Sequence, residues 1–454
     1  MKKYDTIIIG FGKGGKTLAG KLGAKGESVA MIERSNMMYG GTCINVGCIP
    51  SKSLVNSSRA SAAHGFMSFE KRAEIYARAV EDKGHLTAML RGKNYDKLAN
   101  VPNIDVIDGE ASFTGPHTVS VKTAEGSLEL EGAKIFIDTG STTVIPKIEG
   151  IDGPNVYFSE SMMELDKLPR RLVIVGGGYI GLEFASMYSS FGSHVTVISD
   201  LQQFLPREDE DMATAIMSAL TEKGVDFILG AAVKKFEHRT GMVAVSFEHE
   251  GVNKRLEAEA VLVATGRRPN TDALNLAAAG IETTPRGAVK VDSLLRTTAE
   301  GVWALGDVNG GPQFTYVSLD DYRIAYSQLS GGDYSLEKRK NVPYSVFIDP
   351  AFSRVGLSEK EARDAGYDVK VAKLPAGAIP KAHVLRHPTG LLKAVIDAKT
   401  GKILGAALLC EESYEMINTV KLAMDLDASY TVLRDQIFTH PTMSEALNDL
   451  FAAV

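Results

Sequence analysis

Two glycine-rich loops, each placed between an apolar strand and a helix, constrain this 454-residue chain more than any other feature. The first loop, Gly10 to Gly15, follows the apolar run Tyr4 to Ile9. A predicted helix to about Ala24 and a predicted strand, Ser28 to Ile32, come next, and the acid Glu33 ends that strand. This order is typical of a dinucleotide site, where glycines admit the pyrophosphate, the helix N-terminus binds it and the carboxylate binds ribose hydroxyls.

The same pattern occurs again later in the chain. A predicted strand, Arg171 to Val175, leads into the loop Gly176 to Gly181 and a helix to about Phe191. The predicted strand His194 to Ile198 follows and ends in Ser199-Asp200. A loop that only packs a helix against a strand is the alternative, but the complete strand, helix and acid context favours a second dinucleotide site.

Two cysteines, Cys43 and Cys48, are separated by four residues at a predicted junction between a loop and a helix. We expect Cys43 on the incoming loop and Cys48 in the first helical turn, where the helix dipole and nearby Lys52 favour a thiolate. A zinc site would need further His or Cys ligands at short spacing, and none is nearby. A structural disulfide is the other alternative, but it would close only a small loop. The spacing therefore favours a redox dithiol.

Two dinucleotide sites beside a redox dithiol are most simply explained by FAD and a nicotinamide dinucleotide. Three further segments fit a flavin site, since each follows or forms a β-rich run and ends in polar residues or glycine. They are Asp138 to Ser141, Ala264 to Asn270 and Val302 to Asp307. The last ends in an acid suited to a ribityl hydroxyl.

Composition narrows the remaining classes. The chain is 44% hydrophobic and 23% charged, which is typical of a globular protein long enough for about three domains. Its net charge of -6 gives no support for nucleic-acid binding. No apolar run reaches the length of a membrane span, and Met1 to Asp5 leads directly into a strand, so we expect a cytoplasmic protein without a membrane partner.

In this order the motifs resemble the pyridine nucleotide-disulfide oxidoreductases of the glutathione reductase and dihydrolipoyl dehydrogenase type, over essentially the whole chain. The resemblance implies an α/β fold with two Rossmann-like domains, for FAD and NAD(P), and a C-terminal α+β dimerisation domain. The predicted segments are 1–147 and 271–340 for FAD, 148–270 for NAD(P) and 341–454 for dimerisation. We expect a polar helical hairpin from about Phe66 to Asn100.

The resemblance also assigns roles near the dithiol. Cys43 is the interchange thiol that meets substrate, and Cys48 is the thiol that contacts the flavin. Lys52 lies near flavin N5 and pairs with Glu183. Tyr179 is an aromatic gate that covers the flavin until nicotinamide displaces it.

The C-terminal run Phe438 to Glu445 matches the His and Glu dyad of the family. By the resemblance, His440 reaches the dithiol of the other subunit and Glu445 orients it. A histidine can hold the Cys43 proton and return it to a leaving group. We therefore expect a homodimer with shared active sites.

The resemblance carries cofactor contacts over to matching positions. For FAD they are Gly10, Gly12, Gly15, Glu33, Gly41, Thr42, Lys52, Thr139, Gly140, Gly306, Asp307 and Thr315. For NAD(P) they are Gly176, Gly178, Tyr179, Gly181, Asp200 and Gly266. Ser199 takes the place where an acid commonly ends the second nucleotide strand. Asp200 can still accept ribose hydroxyls and no arginine cluster follows until Arg207, so we expect NADH, with NADPH as the alternative.

Several stretches are more similar to the bacterial reactive-chlorine-resistance branch, whose members are hypothiocyanite reductases with reported copper(II) and mercury(II) reduction. They are Asn36 to Gly41, Phe314 to Arg323, Asn341 to Phe347 and Leu433 to His440. The predicted reaction is therefore reduction of hypothiocyanous acid in oxidative-stress defence. The alternatives are a dihydrolipoyl dehydrogenase, a low-molecular-weight disulfide reductase, a copper(II) or mercury(II) reductase and a non-catalytic redox sensor. Mercuric reductases carry a C-terminal cysteine pair, which Leu450 to Val454 lacks, so dedicated mercury handling is not expected.

For three other residues with reactive or metal-ligating side chains we predict structural roles only. Cys410 lies in an apolar run and is predicted to be a buried small hydrophobe. His383 and His387 flank a short segment on a predicted surface loop with no further ligand nearby in sequence. No metal site is expected.

Overall fold

The structure is a computed structural model that describes residues 1–63, 65 and 67–454. The chain forms two compact units. Unit 1 comprises Met1–Ser53, Ala79–Ile145 and Gly266–Arg339, and unit 2 comprises Leu54–Arg78, Pro146–Thr265 and Lys340–Val454. None of the helices in the described part of the chain combines the length and apolar content that a bilayer crossing requires.

The described residues form helices and strands in mixed order along the chain. The helices are α1 (Lys13–Gly23), α2 (Gly41–Asn45), α3 (Cys48–Ala63), α4 (Phe69–Ala99), α5 (Ser159–Met162), α6 (Tyr179–Phe191), α7 (Glu210–Glu222), α8 (Thr315–Leu329), α9 (Glu359–Asp364), α10 (Pro380–Val384), α11 (Ser413–Asp425), α12 (Thr431–Arg434) and α13 (Ala446–Ala452). The strands are β1 (Lys2–Ile9), β2 (Val29–Glu33), β3 (Ile104–Asp108), β4 (Glu110–Gly115), β5 (Thr118–Thr123), β6 (Gly126–Ile137), β7 (Ser141–Thr143), β8 (Val156–Phe158), β9 (Arg171–Val175), β10 (His194–Ile198), β11 (Val225–Ile228), β12 (Ala231–Arg239), β13 (Met242–His249), β14 (Val252–Ala258), β15 (Ala260–Val263), β16 (Arg267–Pro269), β17 (Val302–Ala304), β18 (Tyr344–Val346), β19 (Phe352–Gly356), β20 (Val369–Pro375), β21 (Leu391–Asp397) and β22 (Ile403–Leu409).

The main sheet of unit 1 has the order β3-β2-β1-β6-β5-β4, and β17 pairs with β6. Strand β1 runs parallel to both β2 and β6, with Ile9 opposite Ile32 and Ile137. The side chains of Ile7 to Ile9, of Val29 to Ile32 and of Ile135 to Ile137 are buried, as expected for a parallel sheet covered on both faces. Parallel strands end at the same edge, so the residues that follow β1, β2 and β6 are brought together there.

Unit 2 contains a parallel sheet of order β11-β10-β9-β15-β8 and an antiparallel meander of β12, β13 and β14. Its C-terminal part forms an antiparallel sheet of order β18-β19-β22-β21-β20. Residues of α11 and α13, including Val420 and Leu450, lie in the buried core that this sheet shares.

The α/β fold predicted from the sequence is confirmed, and β9 and β10 have the predicted bounds. The helical hairpin is wrong, because its range holds one continuous helix, α4; the predicted start at Phe66 lies outside the described residues. Buried positions recur along α4 at helical spacing, at Tyr76, Ala79, Lys83 and Thr87, so one face of a single continuous helix is covered. The division into four domain segments stays a prediction.

Candidate functional site

The dithiol lies at the start of α3. Cys48 is the first residue of this helix and is exposed, whereas Cys43 is half-buried. Cys43 lies in the short helix α2 and not on a loop, because Gly40 and Gly41, both at positive φ, turn the chain into a helix before it reaches the cysteine. The two thiols interact, since each shifts the pKa of the other.

The two thiols hold protons unequally. The Cys43 thiol, the Thr315 hydroxyl and the Lys52 charge together lower the pKa of Cys48 to about 6. The interaction with Cys48 raises the pKa of Cys43 far above its usual range, and burial adds to the shift. The arrangement therefore favours a thiolate on Cys48 and a proton on Cys43.

A second helix begins beside the dithiol. Thr315 is the first residue of α8, and its hydroxyl oxygen lies 3.6 Å from the Cys48 sulfur. The flanking rings of Phe314 and Tyr316 stack with centroids 5.1 Å apart, and Tyr316 is 43% exposed. Two helix N-termini thus lie near one sulfur, where their dipoles favour negative charge.

The first glycine loop lies at the sheet edge formed by β1, β2 and β6. Helix α1 begins there without a side-chain cap from Gly12, so that its N-terminal dipole faces the loop, while the Gly14 amide donates to the Ser318 hydroxyl at 2.9 Å. Gly41 passes so close to the loop that an added Cβ would lie 2.9 Å from the Gly12 Cα. The segment before Cys43 is therefore fixed next to the loop by a contact that only glycine permits.

Two buried carboxylates border this loop. Glu33 is 8% exposed, accepts hydrogen bonds from the amides of Phe11 at 3.0 Å and Ser35 at 3.3 Å, and has a pKa raised by burial. Asp138 accepts a hydrogen bond from the Gly15 amide at 2.6 Å, and burial raises its pKa well above the usual value. The glycine cradle, the uncapped helix and the oriented Glu33 together fit the diphosphate and ribose of FAD.

The other predicted flavin residues of unit 1 form a connected set. The Thr139 hydroxyl donates to the Asn270 carbonyl at 2.8 Å, and the Gly140 carbonyl accepts from the Asn270 amide at 3.0 Å. The Asp307 carboxylate accepts from the Ser141 hydroxyl at 2.7 Å, and burial raises its pKa. The Gly306 amide donates to Asp321 at 2.7 Å. These bonds fix the segments that follow β6, β16 and β17.

The second glycine loop, in unit 2, has the same local form. Gly176 has a φ of +116°, and an added Cβ would lie 2.5 Å from the Ala264 carbonyl oxygen. Gly178 precedes α6 without a side-chain cap, and Gly181 lies within the helix. Asp200 is exposed one residue beyond Ser199, which is buried and would contact a Cβ on Gly177 at 3.2 Å. The loop fits a second dinucleotide, with Asp200 the accessible carboxylate at the strand end. Gly266, in unit 1, lies at positive φ directly before β16.

The C-terminal dyad is formed within the chain. The Nδ1 atom of His440 lies 2.8 Å from a carboxylate oxygen of Glu445, whose other oxygen accepts the Thr442 amide at 3.1 Å. The hydrogen bond from His440 lowers the pKa of Glu445. The His440 side chain is 71% exposed, so the dyad presents an oriented imidazole at the surface of this chain.

Lys52 and Glu183 belong to different units, so their predicted pairing stays a prediction. Glu183 accepts a hydrogen bond from the Phe347 amide at 2.8 Å. That bond fixes one carboxylate oxygen of Glu183 within unit 2.

His387 has partners that the sequence did not indicate. Its Nδ1 atom lies 3.7 Å from Asp349 and 3.5 Å from Glu411, and the three ligand atoms lie within 4.8 Å of one another. Arg59 pairs with both carboxylates, at 3.6 and 3.4 Å, and Lys223 pairs with Asp349. Two cations already balance the two acids, so we assign no metal to this cluster. Cys410 is fully buried, as predicted.

Sequence reasoning missed Lys16 and Glu208, and it placed Asp138 in a flavin-site segment without assigning it a contact. Asp138 directly follows the buried strand β6, a position that could have identified its role. Lys16, on α1, donates to Asn94 at 2.6 Å and to the Gly40 carbonyl at 3.3 Å, and burial lowers its pKa to about 8. Glu208 contacts the Tyr179 hydroxyl.

Comparison with known proteins agrees with this geometry. Residues 4–321 match the pyridine nucleotide-disulphide oxidoreductase family, and residues 342–451 match the dimerisation domain of that family. The chain belongs to the pyridine nucleotide-disulfide oxidoreductases. The family uses FAD and NAD(P)H, so the predicted cofactors and the assignment as a flavin-dependent enzyme are confirmed.

Individual relatives cover the whole chain. It is 51% identical to the probable pyridine nucleotide-disulfide oxidoreductase RclA of Escherichia coli (strain K12), over 100% of both chains. A solved structure described as the Cu(II) complex of the HOCl-induced flavoprotein disulfide reductase RclA from Escherichia coli matches 100% of both chains with a TM-score of 0.94 and 51% identity. A mercuric reductase of Bacillus cereus is 36% identical, over 98% of this chain and 70% of the relative. The resemblance stated from the motifs is therefore confirmed.

Proposed function

We propose that this protein is an NADH-dependent flavoprotein reductase that reduces hypothiocyanous acid to thiocyanate and water in defence against oxidative stress. The proposal includes the predicted roles of Cys43, Cys48, Lys52, Glu183, His440 and Glu445 and the predicted cofactor contacts. Electrons would pass from NADH to the Cys43–Cys48 pair and from there to the oxidant.

The observation that carries the proposal is the placement of the dithiol. Cys48 is the first residue of α3, and its sulfur lies 3.6 Å from the hydroxyl of Thr315, the first residue of α8. The Cys43 thiol, the Thr315 hydroxyl and the Lys52 charge lower the pKa of Cys48, which favours a thiolate there. FAD, when bound, supplies the transfer of an electron pair from NADH to the disulfide. The Cys48 thiolate suits the sulfur on the flavin side, and Cys43 suits the sulfur that meets substrate once a base removes its proton.

The chemistry at the two sulfurs balances. The Cys43 thiolate attacks the sulfur of hypothiocyanous acid, forms a sulfenyl thiocyanate in which Cys43 Sγ is bonded to the sulfur of the thiocyanate group, and releases hydroxide, which takes up a proton to become water. The Cys48 thiolate then attacks the Cys43 sulfur and expels thiocyanate, which restores the disulfide. One NADH is oxidised to NAD⁺ for each hypothiocyanous acid reduced.

The high proton affinity of Cys43 makes a base necessary, and the His440 dyad is the candidate. Its imidazole is exposed and is oriented by Glu445. In the proposed homodimer this imidazole comes from the other chain, accepts the Cys43 proton and returns it to the departing hydroxide. The match of residues 342–451 to the dimerisation domain supports this arrangement.

Two features favour a small, soft oxidant. Phe314 and Tyr316 flank Thr315 in sequence and their rings stack on each other, while the Thr315 hydroxyl lies 3.6 Å from the Cys48 sulfur; we expect these aromatic rings to narrow the approach for a bulky disulfide. The 51% identity to RclA, which is described as HOCl-induced, supports a role in response to reactive chlorine. Asp200 supports NADH, because its exposed carboxylate suits ribose hydroxyls and repels a 2'-phosphate.

A panel of oxidants tests the proposal. Purified FAD-loaded protein is mixed with NADH or NADPH and with hypothiocyanite, glutathione disulfide or copper(II), and dihydrolipoamide is assayed with NAD⁺. We expect fastest turnover with NADH and hypothiocyanite, and its loss in Cys43→Ser. Cys410→Ser is the matched control and should keep wild-type turnover, because Cys410 is fully buried. Faster turnover of a disulfide or of dihydrolipoamide, or normal turnover of Cys43→Ser, contradicts the proposal.

A further inference from the structure

The hydroxyl of Tyr179, the predicted aromatic gate, is bound to a buried carboxylate. Tyr179 is the first residue of α6, and its hydroxyl donates a hydrogen bond to Oε1 of Glu208. The hydroxyl of Tyr344 donates to the same oxygen at 2.5 Å. The two rings lie with centroids 5.6 Å apart, and the two hydroxyl oxygens are 3.3 Å apart.

Glu208 is itself held in place. Its side chain is 1% exposed, and its other oxygen pairs with Arg354 at 3.2 Å. Arg354 is also buried, donates to the Arg207 carbonyl at 2.8 Å and pairs with Glu361. Because Arg354 lies on β19 within the C-terminal sheet, the carboxylate cannot follow a ring that moves away from it.

A ring that turns about its Cα–Cβ bond would break the bond to Glu208, since hydrogen bonds weaken steeply with distance and angle. Bonds to a charged acceptor are stronger than neutral ones, and a buried acceptor that loses a donor is not compensated by water. Tyr344 keeps its own bond to the same oxygen, so the effect of ring movement falls on the Tyr179 hydroxyl alone.

We infer that Glu208 is a positioning residue that holds the Tyr179 ring in its resting place, so that entry of the nicotinamide ring must break the Tyr179–Glu208 hydrogen bond. The inference rests on the proposed function, from which the gate role of Tyr179 comes. The apparent affinity for a nicotinamide dinucleotide is then the intrinsic affinity multiplied by the fraction of molecules in which the ring has moved away. A ligand that lacks nicotinamide should not experience this effect.

The test is calorimetric titration of the FAD-loaded protein with NAD⁺ and with ADP-ribose, which has no nicotinamide ring. Tyr179→Phe keeps the ring and removes the hydroxyl, and we expect NAD⁺ to bind about 10-fold more tightly, a change equivalent to about 1.4 kcal/mol. ADP-ribose should bind with unchanged affinity. Tyr344→Phe is the matched control, because it removes the other tyrosine hydroxyl that donates to the same Glu208 oxygen. It should leave the NAD⁺ affinity unchanged.

Unchanged or weaker NAD⁺ binding in Tyr179→Phe would overturn the inference, as would equal tightening of NAD⁺ and ADP-ribose. The double variant Tyr179→Phe/Glu208→Gln tests whether Glu208 is the group that holds the ring and so weakens NAD⁺ binding in the wild-type protein. We expect no further tightening in the double variant, and a further increase would exclude Glu208 as the holding group. Wild-type protein that binds NAD⁺ but does not reduce hypothiocyanite would contradict the proposed function and leave this test intact.

Discussion

The hydrogen bond between the two thiols should control the acidity of Cys48. Replacing Cys43 by alanine removes the donor that contributes most to lowering the Cys48 pKa from 9.0 to about 6. Replacing it by serine keeps an O–H donor. A hydrogen bond to a charged group contributes about 1.5–3 kcal/mol, and one pKa unit corresponds to about 1.4 kcal/mol, so the bond accounts for about 1–2 units. Cys48 is exposed, and solvent screening places the expectation near about one unit.

The assay is a pH titration of the absorbance that the Cys48 thiolate gives against oxidised FAD, in protein whose Cys48 has no disulfide partner. Cys43→Ala should lose this absorbance at a higher pH than Cys43→Ser as the pH falls. Thr315→Val in the Cys43→Ser protein is the control and should shift the midpoint less, because the Thr315 hydroxyl lowers the pKa less than the Cys43 thiol does. Equal midpoints in the alanine and serine variants, or a lower midpoint in the alanine variant, would refute the reasoning.

The shift in the Cys48 pKa on folding also determines how the stability of the reduced protein depends on pH. The folded-state pKa of Cys48 lies below its unfolded value, so the stabilisation is complete above the unfolded pKa of 9.0. It is lost as the pH falls through about 6. Reduced wild-type protein should therefore show a Cys48-dependent loss of stability over this interval, which Cys48→Ser should abolish in chemical unfolding experiments.

Three further substitutions give distinct outcomes. His440→Gln should lower turnover with hypothiocyanite by about 100-fold and leave reduction of the protein by NADH unchanged in stopped-flow measurements; equal loss in both would contradict a role at Cys43. Asp138→Ala should lower the free energy of unfolding by about 1–3 kcal/mol and lower the FAD content, because the buried Gly15 amide loses its acceptor. Asp138→Asn keeps an acceptor oxygen and should lower both quantities less. Lys393→Met should lower the free energy of unfolding by about 3–5 kcal/mol, because it leaves buried carboxylates without their cation. The Lys393 side chain is 3% exposed and its Nζ atom lies within 3.0 Å of Asp209, Asp211 and Glu359. Wild-type stability of either variant would contradict the corresponding contact.

Local patterns predicted much of the fold. The apolar strands and glycine turns of both dinucleotide sites depend on residues close in sequence, so β9 and β10 were predicted with their observed bounds and α6 with its observed last residue. The single helix α4 was not, because a long polar helix and a hairpin of two helices share the same composition. The helix that holds Cys43 depends on backbone angles at Gly40 and Gly41, which composition does not reveal.

Contacts between distant residues account for what the sequence did not indicate. Asp138 binds the Gly15 amide across 123 positions, and Tyr344 binds Glu208 across 136. His387 contacts Asp349 and Glu411, which lie 38 and 24 positions away along the chain. Neither propensity nor a short motif specifies such pairs, whereas the bond between His440 and Glu445 lies within one motif and was predicted.

The most direct test of the account asks whether NADH opens the Cys43–Cys48 disulfide. Air-oxidised, FAD-loaded protein is treated anaerobically with NADH, alkylated and mapped by peptide mass spectrometry. We expect both cysteines to be alkylated only after NADH is added and to be protected again when hypothiocyanite follows, with buried Cys410 unlabelled throughout. Labelling of Cys43 and Cys48 that does not depend on NADH would contradict the central claim that electrons reach the oxidant through this pair.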